Sequence, residues 1–324
     1  MEPLKSKKSI KKRQEIVLLG GSGFVGTHLI QELLSYGNYS LSLLIHKSPP
    51  VIPELAGYIR LVNGDFFEEK SLNALIKPDS IVINLVYLNN DTRASNKVGL
   101  QNVLDVCMRK NIKRFIHIST AVVSGRASVL EIDEEVVDVP FSDYEKIKFG
   151  LENIVVSAFK YSNIDSVILR PTAVFGSSGK NALKLIDGLK EDSLAKNYLK
   201  ACLFNTRRFN LVPVSYLVSA ITFFLVKQSV GKKDTFIVSA DDEIDNNYQF
   251  VEEFFRMSLG LKKYPIPIVP VPKIILSIFL RMAGRSSIYP SRVYSSKKLK
   301  QIGWQAPELF HDAILAFSQS RIEI

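Results

Sequence analysis

Through the first half of the chain, short blocks of mainly apolar residues alternate with longer stretches in which apolar positions recur every three or four residues. The short blocks are Ile16–Leu19, Leu41–Ile45, Ile59–Val62, Ile81–Leu85, Arg114–Ile118 and Ser166–Leu169. Their length suits strands, and a run as continuous as Ile81-Val82-Ile83-Asn84-Leu85 suits a strand covered on both faces. Between them, Gly26–Ser35 and Asn96–Lys110 have helical spacing, and Tyr144–Tyr161 has it more strongly. This alternation predicts β-α-β units and an α/β fold built on a doubly wound parallel sheet.

Beyond Arg170-Pro171 the regularity weakens. Ser177-Ser178-Gly179 reads as a loop, Ala182–Leu199 as helices of a different layer, and Thr235–Ser239 as a strand that rejoins the main sheet. The expected organisation is a basic tail over 1–13 and a dinucleotide-binding domain over 14–176 with return segments near 205–240. A smaller lobe, mainly within 177–324, would bind substrate. No internal repeat is visible.

Composition supports a globular chain: 324 residues, 46% hydrophobic and 23% charged, suffice for a large core and a smaller lobe. The net charge of +10 is uneven, because Lys5, Lys7, Lys8, Lys11, Lys12 and Arg13 crowd the N-terminus against Glu2 alone. Such a run is read as a solvated leader, with weak contact to an anionic membrane surface as the alternative and no specific nucleic-acid partner. No signal-peptide core follows, since Ile16 to Leu19 is short and runs into a glycine turn. Ile266 to Ala283 is broken by Pro267, Pro270, Pro272, Lys273 and Arg281, which leaves less than the about 20 apolar residues of a bilayer span. Two cysteines, Cys107 and Cys202, allow at most one bridge, and His28, His46, His117 and His311 show no metal-ligand spacing. The expectation is a cytoplasmic protein without a metal.

Gly20, Gly23 and Gly26 follow the first strand and open a helix. In that context the first glycine permits a tight turn, the second lets a pyrophosphate approach the backbone, and the third allows close packing of helix on strand. The helix N-terminus adds free N–H groups and partial positive charge. A site for NAD commonly has Asp or Glu about 20 residues further on, at the ribose 2′-hydroxyl. This chain has Ile45-His46-Lys47 there. Either His46 and Lys47 accommodate a 2′-phosphate, which favours NADP slightly, or they are exposed loop residues. Asp65, in Asn63-Gly64-Asp65, is a candidate acceptor for the adenine amino group or an ordinary turn residue.

Tyr144 and Lys148 stand at i and i+4, on one face of a helix. An ammonium beside the phenol favours phenolate and is expected to lower the tyrosine pKa from about 10. Tyr144 would then exchange a proton with a substrate hydroxyl or carbonyl during hydride transfer. Thr120, just past the strand Arg114–Ile118, would hold the same oxygen, at the strand end where ligands bind in such sheets. An isolated Tyr-x-x-x-Lys is more often a surface pair; its position after the glycine turn and Ser119-Thr120 is what gives it weight.

In that order, the residues resemble the extended branch of the short-chain dehydrogenase/reductase superfamily, the NAD-dependent epimerase/dehydratase group. The landmarks are Gly20 to Gly26, Asn63-Gly64-Asp65, Asn96-Lys97-Val98-Gly99, Phe115 to Thr120, Tyr144 with Lys148, Leu169-Arg170-Pro171 with Val174-Phe175-Gly176, and Lys298-Leu299 with Ile302-Gly303-Trp304. They span nearly the whole chain. The resemblance implies a Rossmann fold, Tyr144 as acid/base, Lys148 tuning it and orienting the nicotinamide ribose, and Thr120 completing the triad with Ser119 beside it. It extends the cofactor site from the glycines to Phe24, Val25, Phe66, Leu85, Val86, Asn96 and Pro171. Family members often dimerise through helices that include the one bearing the tyrosine, so a homodimer is implied too.

Two departures stand out. Where the family often has Leu-Ala-Ala after the fourth strand, this chain has Leu85-Val86-Tyr87, bulkier residues able to alter cofactor contact or reach the substrate. Near Val214 the usual acidic pair is replaced by Ser215-Tyr216. Arg207 and Arg208 are either ligands for a substrate pyrophosphate or part of a basic surface loop. The resulting expectation is an enzyme acting by hydride transfer on a nucleotide-diphosphate sugar in polysaccharide biosynthesis, as a C4 epimerase or, given the absent acid near His46, an NADPH-using 4-ketoreductase. A reductase of a steroid-like or flavonol-like carbonyl is the alternative. A redox-silent nucleotide-binding scaffold is a third reading, disfavoured because Tyr144 and Lys148 are both present.

Overall fold

The structure, a computed structural model, describes residues 13–46, 59–88, 93–136, 138–177, 179–227, 229–284 and 288–322. The first half runs β1 (Gln14–Leu19), α1 (Phe24–Tyr36), β2 (Tyr39–Ile45), β3 (Ile59–Asn63), α2 (Glu69–Leu75), β4 (Ile81–Asn84), α3 (Arg93–Lys110), β5 (Arg114–Ile118), a 3-10 turn (Ala121–Ser124), β6 (Glu131–Ile132), α4 (Asp143–Phe159) and β7 (Asp165–Pro171). The second runs β8 (Ala173–Phe175), α5 (Lys180–Glu191), α6 (Leu194–Phe204), β9 (Leu211–Pro213), α7 (Val214–Val226), β10 (Asp234–Val238), α8 (Tyr248–Ser258), α9 (Lys273–Met282), β11 (Val293–Tyr294), α10 (Lys297–Gln301) and α11 (Phe310–Ile322).

Seven strands form one parallel sheet in the order β10-β7-β5-β4-β1-β2-β3. Successive strand residues serve opposite faces, which is why the runs are continuously apolar. Ile16, Leu18, Ile81, Ile83, Ile116 and Leu169 join one core with α1 and α7, while Val17, Leu19, Val82, Phe115 and Ile168 join a second core with α2, α3 and α4. This is the expected doubly wound Rossmann-like architecture. The chain leaves β1 toward β2 on one side and returns at β4 on the other, opening a crevice at their C-terminal ends. β10, at the sheet edge beside β7, brings the chain back into the sheet after a first excursion from β8 to α7, and a second, from α8 to α11, follows it.

The first excursion carries the small parallel ribbon of β8 with β9, and the second carries β11, which pairs in parallel with β6 from the loop before α4. Where Ala182–Leu199 has helical composition, α5 and α6 meet at Asp192-Ser193, and the Ser193 hydroxyl accepts from Lys196 N to start α6. Cys107 and Cys202 are both buried and free. Among the described residues there is no metal-binding group of three or more His, Cys, Asp or Glu, and no helix is long and apolar enough to cross a membrane. Apart from Arg13, the basic N-terminal run lies outside the described residues.

Candidate active site

The turn after β1 is shaped by close backbone approach. Gly20 has φ +85°, and a Cβ there would stand 3.2 Å from Leu85. A Cβ on Gly26 would come within 2.4 Å of the Gly20 carbonyl oxygen, so the first turn of α1 rests directly on the loop. Gly23 is the N-cap of α1 with no side-chain cap, which leaves first-turn N–H groups for a ligand. A glycine cradle at an uncapped helix N-terminus, beside the sheet crevice, fits a dinucleotide diphosphate. The Phe24 ring lies against Gly176 and Gly179, where added Cβ atoms would meet it at 3.0 and 2.9 Å. Phe24 thus ties the turn to the loop after β8. Val25 is half-buried beside it.

At the other end of the crevice, His46 Nδ1 stands 3.3 Å from Asp65 Oδ2. Parallel register explains the approach: Ile45 pairs with Asn63, and Gly64 N donates to Ile45 O at 3.0 Å. An acid therefore does stand at the end of β2, delivered from β3. The second Asp65 oxygen accepts from Phe67 N at 2.8 Å, which is turn chemistry. Phe66 is buried, packed where only a glycine at position 99 leaves room for its ring. Lys47 lies outside the described residues.

The loop after β4 is held from two sides. Leu85 N donates to Leu19 O, Val86 N donates to Asn84 Oδ1, and the Asn96 side chain bonds both N and O of Leu88 at 3.1 Å. Asn96 is thus buried as a clamp on this loop. The loop presents Tyr87, whose ring meets that of Tyr144 edge to face at 5.1 Å. Lys148 Nζ lies 4.8 Å from the Tyr87 ring centroid. The sequence marks Tyr87 only as a bulky departure from the family; the structure puts it at the centre of the site.

Helix α4 begins with a capping box: Glu145 N donates to Ser142 Oγ, and the Glu145 carboxylate accepts from Ser142 N and Phe141 N. Tyr144, Lys148 and Glu152 then follow at intervals of four. Arg170, on β7, grips Glu152 at 2.7 Å in a buried pair, which fixes α4 against the sheet. Lys148 is buried and donates to Ile118 O at 3.0 Å; burial lowers its pKa to about 8, against the opposing pull of Glu152. Thr120 is near enough to Tyr144 to lower its pKa, and Tyr144 and Lys148 both pack against the Tyr87 ring.

The expected acidification of Tyr144 does not occur. Burial around its hydroxyl raises the pKa, outweighing the lowering by Thr120, although 40% of the whole residue remains exposed. The Lys148 ammonium is turned instead to Ile118 O and the face of Tyr87. Two further groups lie beneath this cluster. Ser119 Oγ and His117 Nε2 are buried without partners, and burial together with Lys148 pushes the imidazole down to about 3. Pro171 is buried at the end of β7, paired with Val238.

The two arginines have contacts of their own. Arg208 donates to the carbonyls of Glu243 and Ile244, and Arg207 stacks near Phe204, 5.5 Å from its centroid. Arg207 lines a cavity of about 220 Å³ with Pro270, Lys273 and Leu276, whose walls include none of Thr120, Tyr144 and Lys148.

Known proteins resemble this chain in sequence and in fold. The profile of the NAD dependent epimerase/dehydratase family matches residues 16–238. The UDP-glucose 4-epimerase of Vibrio cholerae is 23% identical over 337 residues, covering 97% of each chain. The decarboxylating sterol-4-alpha-carboxylate 3-dehydrogenase of Candida albicans is 25% identical over 194 residues, 55% of this chain and 54% of the relative. Among solved structures, the dTDP-glucose 4,6-dehydratase of Bacillus anthracis in complex with NAD superposes with a TM-score of 0.73 at 19% identity, covering 96% of this chain and 97% of that one.

Proposed function

The chain belongs to the NAD dependent epimerase/dehydratase family and is an enzyme of it, and from that premise we propose that it transfers hydride at C4 of a nucleotide-diphosphate sugar, as an epimerase. The observation that carries this reading is the packing of Tyr144, with Thr120 near it, and of Lys148 against the Tyr87 ring, in a fold that also holds the glycine cradle after β1. A relative aligned over nearly the full length of both chains, a UDP-glucose 4-epimerase, supports the sugar and the position.

Bound NAD supplies the acceptor and donor of hydride. Tyr144 takes the proton from the sugar hydroxyl at its phenolic oxygen and returns it when the ketone is reduced. Removing the hydroxyl proton requires Tyr144 as phenolate, so its own proton must first leave to solvent; burial favours the phenol, the form that donates in the second half when the ketone is reduced. Thr120 holds the same oxygen. Lys148, its pKa lowered to about 8 by burial, is held at Ile118 O and the Tyr87 face, where its charge can orient the nicotinamide ribose. Tyr87 forms one wall and limits what approaches Tyr144. NAD is favoured over NADP because the Asp65 carboxylate beside His46 would oppose a 2′-phosphate and can accept from a 2′-hydroxyl.

Denaturing the purified protein and identifying the released nucleotide tests this reading. Stoichiometric NAD, with interconversion of UDP-glucose and UDP-galactose, is the expected result. A requirement for added NADPH would make the enzyme a 4-ketoreductase instead. A second reading, reduction of an apolar carbonyl, is favoured by the aromatic wall of Tyr87 and by the sterol dehydrogenase relative. Absence of any thermal shift with nucleotide sugars would move the assignment there.

A further inference from the structure

Helix α9 is apolar on nearly every side. Leu276 and Leu280 are buried with Ile288, against Leu203, Phe204 and Tyr289. Opposite that seam, Ile274 is 71% exposed, Ile278 55% and Met282 84%, with Ile275 and Phe279 about half exposed beside them. At about 100° per residue these five occupy one arc centred away from the core. The preceding Pro-rich segment adds Ile266 and Val269, both exposed. Contiguous exposed apolar surface of this kind marks an interaction face.

The charge around it selects the partner. From Leu259 to Pro307 the sequence contains no Asp or Glu and nine Lys or Arg. Lys262, Lys263, Lys273 and Arg281 are exposed in and beside the apolar segment. Aliphatic and aromatic side chains bordered by basic ones, on a helix too short to span a bilayer, are the composition of an interfacial helix. Pairing with a second copy about a two-fold axis would set this basic border against itself. We propose that α9 and the segment around Ile266–Val269 dock on an anionic lipid bilayer, with the helix lying in the plane of the interface. Ile274, Ile278 and Met282 enter the acyl boundary, and the four basic side chains meet the lipid phosphates.

Co-sedimentation of the full chain with phosphatidylcholine vesicles, with and without phosphatidylglycerol, tests this inference independently of the enzymatic reading. Binding is expected only when phosphatidylglycerol is present. The double variant Ile278→Ser/Phe279→Ser leaves every charge in place, so attraction through the basic N-terminus is unchanged, yet it should lower the partition coefficient at least about tenfold. Lys262→Gln/Lys263→Gln should lower it about fivefold per lysine. The proposal is overturned if the wild type does not sediment with anionic vesicles, or if the serine variant sediments as the wild type does. It is also overturned if the wild type is dimeric in lipid-free buffer, the serine variant is monomeric, and neither binds vesicles.

Discussion

Helix α4 carries Glu145, Lys148 and Glu152 on its buried side, whereas α9 carries Ile274, Ile278 and Met282 on its exposed side. In α4 each buried charge has a specific protein partner: Ser142 and Phe141 N–H for Glu145, Ile118 O for Lys148, and Arg170 for Glu152. Such burial is costly unless it is paired, and the pairing also fixes where Tyr144 points. In α9 the apolar excess has no such internal answer, because Leu276 and Leu280 already fill the core contact. The difference separates two uses of a helix. One pins paired charges inside the fold, and the other presents an apolar surface outward.

The largest effect that would break this contrast is on turnover. Tyr144→Phe should lower kcat by about 10²- to 10⁴-fold while the retained nucleotide, quantified after denaturation, stays unchanged. Unaltered turnover would remove Tyr144 from the mechanism. Next comes the Glu152–Arg170 pair: Glu152→Ala leaves a buried guanidinium unpaired and should cost about 3–5 kcal/mol in denaturant unfolding. A loss below about 1 kcal/mol would mean that the pair does not anchor α4.

Lys148→Met sharpens the comparison by replacing a buried ammonium with an apolar chain of similar length. Folding lowers the Lys148 pKa from 10.5 to about 8, so the unfolded chain binds more protons between those values and folding pays for the buried charge below pH 8. The variant should therefore melt higher than the wild type below pH 8, with the gap closing as pH rises from about 8 to 10.5, and it should lose activity. A gap independent of pH across that window would assign the difference to packing. A smaller effect is expected at the cap, where Ser142→Ala should cost about 1 kcal/mol by chemical denaturation. The smallest is on α9: Ile278→Ser should change stability by no more than about 0.5 kcal/mol, because that side chain contributes little to the core. A loss of several kcal/mol would show that the face is packed within the fold.

The strands were legible because a sheet covered on both faces writes itself as uninterrupted apolar runs. The Tyr144–Lys148 register was legible because helical spacing alone puts the two on one side. The acid near His46 was not legible in the expected place after β2. Asp65 belongs to the end of β3, and only the pairing of Ile45 with Asn63 brings it alongside. Tyr87 stood out by bulk, but its edge-to-face contact with Tyr144 depends on the Asn96 clamp and on the path of its loop. The direction of the Tyr144 pKa was misread because a lysine one turn away promises an acidified phenol. That promise holds only if the ammonium faces the hydroxyl and burial does not outweigh it.

Sequence alone therefore determined the period of each element, the glycine turn and the helical face that carries Tyr144 and Lys148. These follow from local sterics and from side-chain direction along a single element. Tertiary structure decided which charges acquired partners, which hydroxyl and which imidazole nitrogen were buried without one, and which side of α9 met solvent. Burial and pairing depend on groups from other elements, as when Arg170 on β7 closes on Glu152 of α4, and no periodicity within one segment encodes them.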